Sequence, residues 1–243
     1  MKIVYIHEAI AKVGGIERIY ADKMNYLSQK GYDIYLLTTI QAQHPYAFPL
    51  SPAIKHIDLD TRHHLQYQYH YPKRLWIRFK INYLFKKRLK EQIKKIDPDI
   101  ICCTTSYGAE TVCKLNCRAK IIIESHSAKS FSGINDGAQR GYISKKYNAF
   151  IVAKKMHIVE KECDALVTLT QGDANEWKCK NKTRVIPNIF NEIPEVKSNQ
   201  TLRRVIGVGR LEYQKRFDNL ISVWKIVNKK HPDWILDIFG EGS

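Results

Sequence analysis

MKIVYIHEAIAKVGGIERIYADKMNYLSQKGYDIYLLTT, residues 1–39, contains two short apolar runs on either side of an amphipathic segment. The runs Lys2–His7 and Tyr32–Thr39 have the length of buried strands, and apolar residues recur at helical spacing through Gly15–Lys30. Parallel strands need a crossover connection, which is usually a helix. The stretch therefore predicts a strand–helix–strand unit of a parallel α/β sheet.

The same alternation continues as far as Pro187. A long basic helix is expected to begin at Pro72 and to end at Asp97-Pro98, and another is expected over roughly Gln139–Glu162. Further short apolar runs are predicted as strands: Ile54–Leu59, Asp99–Thr104, Lys120–Glu124, Ala165–Thr170 and Thr183–Pro187. Residues 1–187 are therefore predicted to form a complete Rossmann-like parallel sheet.

The composition changes after Pro187. Residues 188–202 are polar and lack periodicity, so they are predicted to be a linker. A new strand begins at Arg203, and a helix over Phe217–Lys230 and a strand over Trp234–Phe239 follow it. One such βαβ unit buries too little apolar surface to be stable alone. We therefore expect residues 203–243 to be the incomplete start of a second domain; a terminal unit that leans on the first domain is the alternative.

Composition and cysteine usage exclude several classes of protein. No apolar run approaches the ~20 residues of a membrane span, and the N-terminus lacks the pattern of a secretion signal. The six cysteines form no CxxC pair, and Cys113 and Cys117 have no nearby partners that would suggest zinc. We therefore expect a cytoplasmic protein with reduced core thiols.

The net charge of +16 is concentrated in the predicted basic helix. Over residues 73–96 only Glu91 opposes the cations, which are Lys73, Arg74, Arg78, Lys80, Lys86, Lys87, Arg88, Lys90, Lys94 and Lys95. Such a charge implies an anionic partner, which the composition leaves open as nucleic acid, lipid headgroups or a phosphorylated substrate.

Aromatic residues interleave with these cations, since Trp76, Phe79 and Phe85 lie in the same helix. This arrangement suits a helix lying on anionic lipid, but an ordinary solvated helix of the domain would have the same pattern. The residues predicted to face the membrane or the acceptor are Lys73, Arg74, Trp76, Lys86, Lys87, Arg88 and Lys90.

Two candidate sites follow strands of the predicted sheet, at the edge where α/β proteins bind ligands. Gly14 and Gly15 would let backbone N–H groups approach an anion at a helix N-terminus, although a plain turn has the same residues. His126 follows the strand KIIIE and could donate a hydrogen bond or pass a proton. A structural histidine remains the alternative, because no neighbouring Asp or Cys indicates a triad.

A third candidate site follows the strand that begins at Arg203. Arg210 comes after Gly209, and Lys215 and Arg216 lie at a helix start. Cations there oppose the helix dipole, so a bound anion such as a diphosphate would offset the cost. A solvated basic turn is the alternative.

Five motifs along the chain resemble those of family 4 glycosyltransferases. GVGRLEYQKRFDNLISVW (207–224) is similar to the family's G-R-L-x-x-x-K-x-x-x-x-L-I signature, and GGIERIYADKMNYLSQKGYDIYLLT (14–38) is similar to its GGxE helix and second strand. ESH (124–126) matches a histidine that faces the sugar, and VIPNIFN (185–191) resembles the interdomain turn, with Ile189 and Phe190 replacing the usual residues. GEGS (240–243) is similar to the G-x-G loop of the nucleotide domain.

The resemblance implies an α/β fold of GT-B type, with two Rossmann-like domains. It implies that Arg210 and Lys215 bind the donor's diphosphate and stabilise it as it leaves, with no metal or cofactor. Gly14 and Gly15 would then face the reaction centre, His126 would contact the sugar, and Gly240 and Gly242 would lie at the diphosphate. Anomeric configuration would be retained.

The function implied is that of a hexosyltransferase, which transfers a hexose-type sugar from a nucleotide sugar to a lipid-linked or polysaccharide acceptor in surface glycan synthesis. The enzyme would be peripheral at the inner face of the membrane. A nucleotide-sugar 2-epimerase is one alternative, against which the RLxxxK loop argues. A non-catalytic binder of anionic surfaces or nucleic acid is another alternative. The sequence has no nucleic-acid-binding motif, so a nucleic-acid partner is not expected. By the resemblance, the family's E-x7-E segment lies beyond Ser243, and we expect residues 1–243 alone to be nearly inactive.

Overall fold

The computed structural model of the protein describes residues 1–70, 72–105, 108–131, 142–189, 195, 197–212 and 215–242. The chain divides into two compact units, one with a seven-stranded sheet and one with a two-stranded sheet. The first unit contains β1 (Lys2–Ile6), α1 (Gly15–Gln29), β2 (Asp33–Thr38), β3 (Lys55–Asp58), α2 (Lys73–Ile96), β4 (Ile100–Thr104), α3 (Ala109–Val112), β5 (Lys120–Ser125), α4 (Tyr142–Glu162, of which the residues from Lys146 onward belong to this unit), β6 (Ala165–Thr168), α5 (Gln171–Glu176) and β7 (Thr183–Val185). The second contains β8 (Arg204–Val208), α6 (Phe217–Lys230) and β9 (Ile235–Phe239).

The seven strands run parallel in the order β3-β2-β1-β4-β5-β6-β7. The chain builds outward from β1 to β3 and then starts again on the other side of β1 with β4. The strand order therefore reverses between β1 and β4, and open sheets bind ligands near such a point, at the carboxyl ends of the strands. The parallel α/β class predicted from the sequence is confirmed.

Alternate residues of the central strands enter two apolar cores on opposite faces of the sheet. Val4 and Ile6 pack in the core that contains buried residues of α2 and α4. Ile3 and Tyr5 pack in the other core, beneath α1. Both faces of the central strands β1, β2, β4 and β5 are covered, which agrees with their runs of consecutive apolar residues.

Helix α2 packs into the core only through its C-terminal half. Phe85 and Leu89 are buried, whereas no residue from 73 to 84 is buried. The expectation that Phe85 lies with Trp76 and Phe79 among the surface cations is wrong. Its position four residues before Leu89 places it on the same buried stripe of the helix.

Two predicted strands end early, for local reasons. β6 ends at Thr168, since the Thr170 hydroxyl instead accepts a hydrogen bond from the Asp173 amide and caps α5. β7 ends at Val185, and Pro187 has no N–H to donate to a sheet. The predicted start of the long helix near Gln139 lies outside the described residues, as does part of the predicted linker 188–202.

In the second unit, α6 connects the parallel strands β8 and β9. Large apolar side chains of this unit remain exposed, among them Ile206 at 66%, Val208 at 72% and Phe239 at 57%. A single βαβ unit has too few elements to enclose a core.

The cysteines offer a direct test of the packing in the first unit. All six are free, and five are buried. Burial raises the pKa of Cys113 to about 12 and that of Cys163 to about 11, and it raises the pKa of Cys102 and Cys103 as well. Thiols react as thiolates, so these groups should be inert in the folded protein.

We expect an aromatic disulfide reagent to label only the half-buried Cys117 quickly in the native chain, and all six thiols after denaturation. A Cys117→Ser variant should then show no fast labelling. Fast reaction of three or more thiols in the native protein would contradict the packing described here.

Candidate active site

The candidate site lies where β1 and β5 end. Parallel pairing brings their carboxyl ends to one edge of the sheet, where His126 follows β5 and the turn after β1 leads into α1. Side chains alternate along β5, so Ile123 enters the core on the α2 and α4 side. Ile122 packs against the core beneath α1, and Glu124 points to the same side.

Glu124 is the centre of a buried polar cluster. Its Oε2 atom accepts hydrogen bonds from Lys23 Nζ at 2.8 Å and from His126 Nε2 at 2.9 Å. The side chains of Glu124 and His126 are 7% and 6% exposed, whereas Lys23, on α1, is 26% exposed. An ionised carboxylate can only accept hydrogen bonds, so His126 Nε2 carries a proton.

Hydrogen bonding and charge keep this carboxylate ionised. Burial raises the pKa of Glu124, but the hydrogen bond from His126 and the charge and hydrogen bond of Lys23 outweigh it, and the pKa lies below its ordinary value. Burial, together with the charge of Glu124, raises the pKa of the Tyr20 hydroxyl well above its usual range. The cluster therefore contains an ionised carboxylate, that of Glu124, and an un-ionised hydroxyl, that of Tyr20.

A second histidine lies next to this cluster. The Tyr20 ring contacts the rings of both His7 and His126, with centroids 5.3 Å and 6.2 Å apart. His7 Nε2 lies 3.4 Å from Glu17 Oε1, and this hydrogen bond is the main reason that the pKa of Glu17 is lowered. Within the described part of the chain, His7 Nδ1 and the Tyr20 hydroxyl are buried without a hydrogen-bond partner.

The two predicted glycines begin α1 at the same edge of the sheet. Gly14 is the N-cap in an extended conformation, and Gly15 is the first residue of the helix. A Cβ at Gly14 would overlap the Glu17 carboxylate, whereas a Cβ at Gly15 would meet no atom within 4 Å. The backbone at Gly15 therefore borders open space, and its contact with a donor stays a prediction.

A cavity opens beside the polar cluster. Its lining includes Lys23, Glu124, His126, Leu169, Pro187 and Asn188. Pro187 and Asn188 belong to the VIPN turn that resembles the family's interdomain motif. The structure therefore brings the predicted His126 together with this turn, whereas Phe190 of the same motif lies outside the described residues.

In the second unit, the predicted diphosphate-binding residues lie on two touching loops. Gly209 and Arg210 follow β8, and Gly240 and Gly242 follow β9. A Cβ at Gly240 would overlap the carbonyl oxygen of Gly209, and one at Gly242 would overlap Leu211. The G-x-G spacing thus has a packing reason, in addition to its predicted role in binding.

The cations of these loops differ in their surroundings. Arg216 is the N-cap of α6 and its guanidinium binds Asp218, whose pKa is lowered chiefly by this hydrogen bond. The placement of Arg216 therefore needs no external anion. Arg210 also pairs with a carboxylate, that of Glu212 at 3.0 Å, but its side chain is 63% exposed. Lys215 is exposed, with its alkyl chain packed beside Gly209.

The N-terminal half of α2 presents aromatic and basic side chains together. Trp76 is 64% exposed and Phe79 is 74% exposed. Lys73 Nζ lies 4.6 Å from the centroid of the Tyr69 ring, and Lys80 Nζ lies 5.6 Å from that of Trp76. Arg74 likewise lies over a tyrosine ring, 4.5 Å from its centroid. Among the described residues, these cations are paired with aromatic faces rather than with carboxylates.

Arg88 differs from the other cations predicted to face a membrane. Its guanidinium donates to the backbone carbonyl oxygens of Leu59 and Asp60, at 2.5 and 2.8 Å. Lys86, Lys87 and Lys90 are exposed, whereas Arg88 is half-buried. Arg88 therefore ties α2 to the segment that follows β3.

Sequence reasoning missed Lys23, His7 and the role of Glu124. A signal for Glu124 was present, since it is the charged residue at the C-terminal end of the apolar strand KIIIE. A buried charge needs a partner. Lys23 shares a face of α1 with the buried Tyr20, three residues earlier. That helical spacing was the available signal for a partly buried lysine.

The described residues contain neither a metal-binding cluster nor a membrane span. No group of three or more His, Cys, Asp or Glu side chains in them could hold a metal ion. None of the described helices is long and apolar enough to cross a membrane.

A sequence model of Glycosyltransferase Family 4 matches residues 13–192. An uncharacterized glycosyltransferase of Haemophilus influenzae is 26% identical over 251 residues, covering 100% of this chain and 62% of that protein. The amylovoran biosynthesis glycosyltransferase AmsD of Erwinia amylovora is 36% identical over 95 residues, covering 33% of this chain and 25% of that protein. The apo form of the lipopolysaccharide outer core galactosyltransferase WaaB has a TM-score of 0.62 at 16% identity, covering 100% of this chain and 62% of that chain.

The parallel sheet and the structural match define an α/β protein of GT-B type, as predicted. Because the family model covers most of its length, the chain belongs to Glycosyltransferase Family 4. It spans 62% of the length of the Haemophilus protein.

Proposed function

We propose that the protein is a glycosyltransferase that moves a sugar from a nucleotide-sugar donor to a lipid-linked or polysaccharide acceptor of a surface glycan. Membership in Glycosyltransferase Family 4 over residues 13–192 carries this proposal. The matched segment includes Gly14, Gly15 and His126, which lie at one edge of the sheet. The names of AmsD, in amylovoran biosynthesis, and WaaB, in the lipopolysaccharide outer core, support a surface glycan as acceptor.

In the proposed reaction, the bond from the anomeric carbon to the diphosphate breaks, and a bond to an acceptor oxygen forms with the same anomeric configuration. The acceptor's proton passes to the departing phosphate. Negative charge grows on the leaving diphosphate, and the exposed cations Arg210 and Lys215 stabilise it. Two fixed cations supply the positive charge that a metal supplies elsewhere, so the proposal includes no metal or cofactor.

The remaining predicted residues have positional roles in this proposal. His126 contacts the sugar from the edge of the first sheet, and Gly14 and Gly15 border the reaction centre. Gly240 and Gly242 let the backbone after β9 approach the diphosphate closely.

We also propose that the protein works in the cytoplasm, peripherally on the inner face of the membrane. The exposed Trp76 and Phe79 and the cations around them support this proposal, because aromatic and basic side chains together suit the interface of an anionic bilayer. A lipid-linked acceptor would then lie in the same surface.

Replacing Lys215 with alanine tests the proposed chemistry. In a protein that continues through a complete second domain, we expect Lys215→Ala to lower kcat roughly 100- to 1,000-fold, with a smaller change in the donor KM. The reason is that the charge it stabilises grows in the transition state. Release of nucleoside diphosphate from a panel of nucleotide sugars would be measured. Lys229→Ala, an exposed lysine in the last turn of α6, should keep the wild-type rate, and an unchanged kcat in Lys215→Ala would remove Lys215 from the site.

Vesicle binding tests the membrane proposal. The protein should bind vesicles that contain anionic lipid, and salt should release most of it, since the attraction decays over roughly 8–10 Å. Each cation contributes about 1 kcal/mol near such a surface, so replacing Lys86, Lys87 and Lys90 with Gln should weaken binding roughly 100-fold. Arg88 is left unchanged, because it binds backbone carbonyl oxygens.

The matched control replaces Lys225, Lys229 and Lys230, which are exposed on α6, with Gln. It changes the net charge equally and should keep vesicle binding. Substitution of Trp76 and Phe79 by Ser should abolish the part of the binding that salt does not reverse. A wild-type protein that ignores anionic vesicles at low salt would refute the membrane proposal.

A further inference from the structure

A buried carboxylate lies directly behind His126. Glu124 is 5% exposed, and its Oε2 atom receives hydrogen bonds from both Lys23 and His126. Burying a charge is costly unless it is paired, and an apolar residue would fill the space without that cost. We therefore infer that the Glu124 carboxylate has a role other than filling space.

We propose that Glu124 is a positioning residue that holds His126 in one tautomer and one orientation beside the cavity. The 2.9 Å contact to an ionised carboxylate requires the proton on Nε2. Nδ1 of the neutral ring is then a hydrogen-bond acceptor, which matches a hydroxyl group of a sugar. The use of that acceptor in transfer rests on the proposed function, whereas the tautomer does not.

Two neighbours make this orientation rigid. Lys23 holds Glu124 from α1 at 2.8 Å, and Tyr20, one turn earlier in the same helix, packs its ring against that of His126. Helix α1 also carries Gly15 at its start. The Glu124 carboxylate therefore connects helix α1, which begins at Gly15, to His126. It fixes the distance between these two parts of the candidate site.

Nuclear magnetic resonance of the whole chain tests the tautomer directly. Long-range couplings in the ¹⁵N-labelled protein distinguish the Nε2–H form, the Nδ1–H form and the doubly protonated ring. His126→Asn identifies the signal among the nine histidines. We expect only the Nε2–H form in the wild type and a mixture of both forms in Glu124→Gln.

Glu160→Gln is the matched control. Glu160 is also buried, at 8% exposed, and accepts hydrogen bonds from Lys129 Nζ and the Lys178 amide, but no histidine binds it. This variant should leave the His126 signal unchanged. If Glu124→Gln does not fold, the wild-type spectrum still decides, since an Nδ1–H form there would overturn the proposal.

The transfer assay tests whether the orientation is used. Glu124→Gln should lower kcat about tenfold to a hundredfold while the donor KM stays within about twofold, because a misplaced group costs rate more than affinity. Glu160→Gln should keep the wild-type kcat. An altered tautomer with unchanged kcat would overturn the positioning role. The assay uses the protein that continues through a complete second domain; if its wild type transfers no sugar, the proposed function fails, while the tautomer is still measured.

Discussion

A buried negative charge at the end of β5 constrains the whole edge of the sheet where the candidate site lies. Glu124 is almost entirely shielded from solvent, at 5% exposed, so hydrogen-bond donors from the protein must compensate its charge. Lys23 comes from α1, and His126 comes from the loop after β5. One carboxylate therefore joins a helix, a strand and a loop, and the strand order of the sheet brings that edge close to its switch point.

The parallel sheet and the position of His126 were predictable because both depend on local patterns. Short apolar runs alternating with helices indicate parallel strands, and a histidine directly after such a run must lie at the carboxyl edge. The pair of Lys23 and Glu124 was not predictable in the same way. Its members are 101 residues apart, and only the packing of α1 on the sheet brings them together.

Helix α2 shows where local patterns mislead. Its basic and aromatic residues look alike along the sequence, so Phe85 was grouped with Trp76 and Phe79. In the structure only the C-terminal half of the helix covers the core, and Phe85 begins that half. The spacing of the G-x-G loop after β9 was likewise assigned to ligand binding alone, although Gly240 also lies against the backbone of Gly209.

A double-mutant cycle on Lys23 and Glu124 measures the central interaction most directly. The free energy of unfolding in urea would be compared for the wild type, Lys23→Met, Glu124→Gln and the double variant, with fluorescence of the buried Trp177 contributing to the signal. We predict a coupling of at least about 1 kcal/mol. Each single change leaves the charge of the other residue unpaired in a largely buried place. Single changes whose effects simply add would contradict the claim that this carboxylate organises the site.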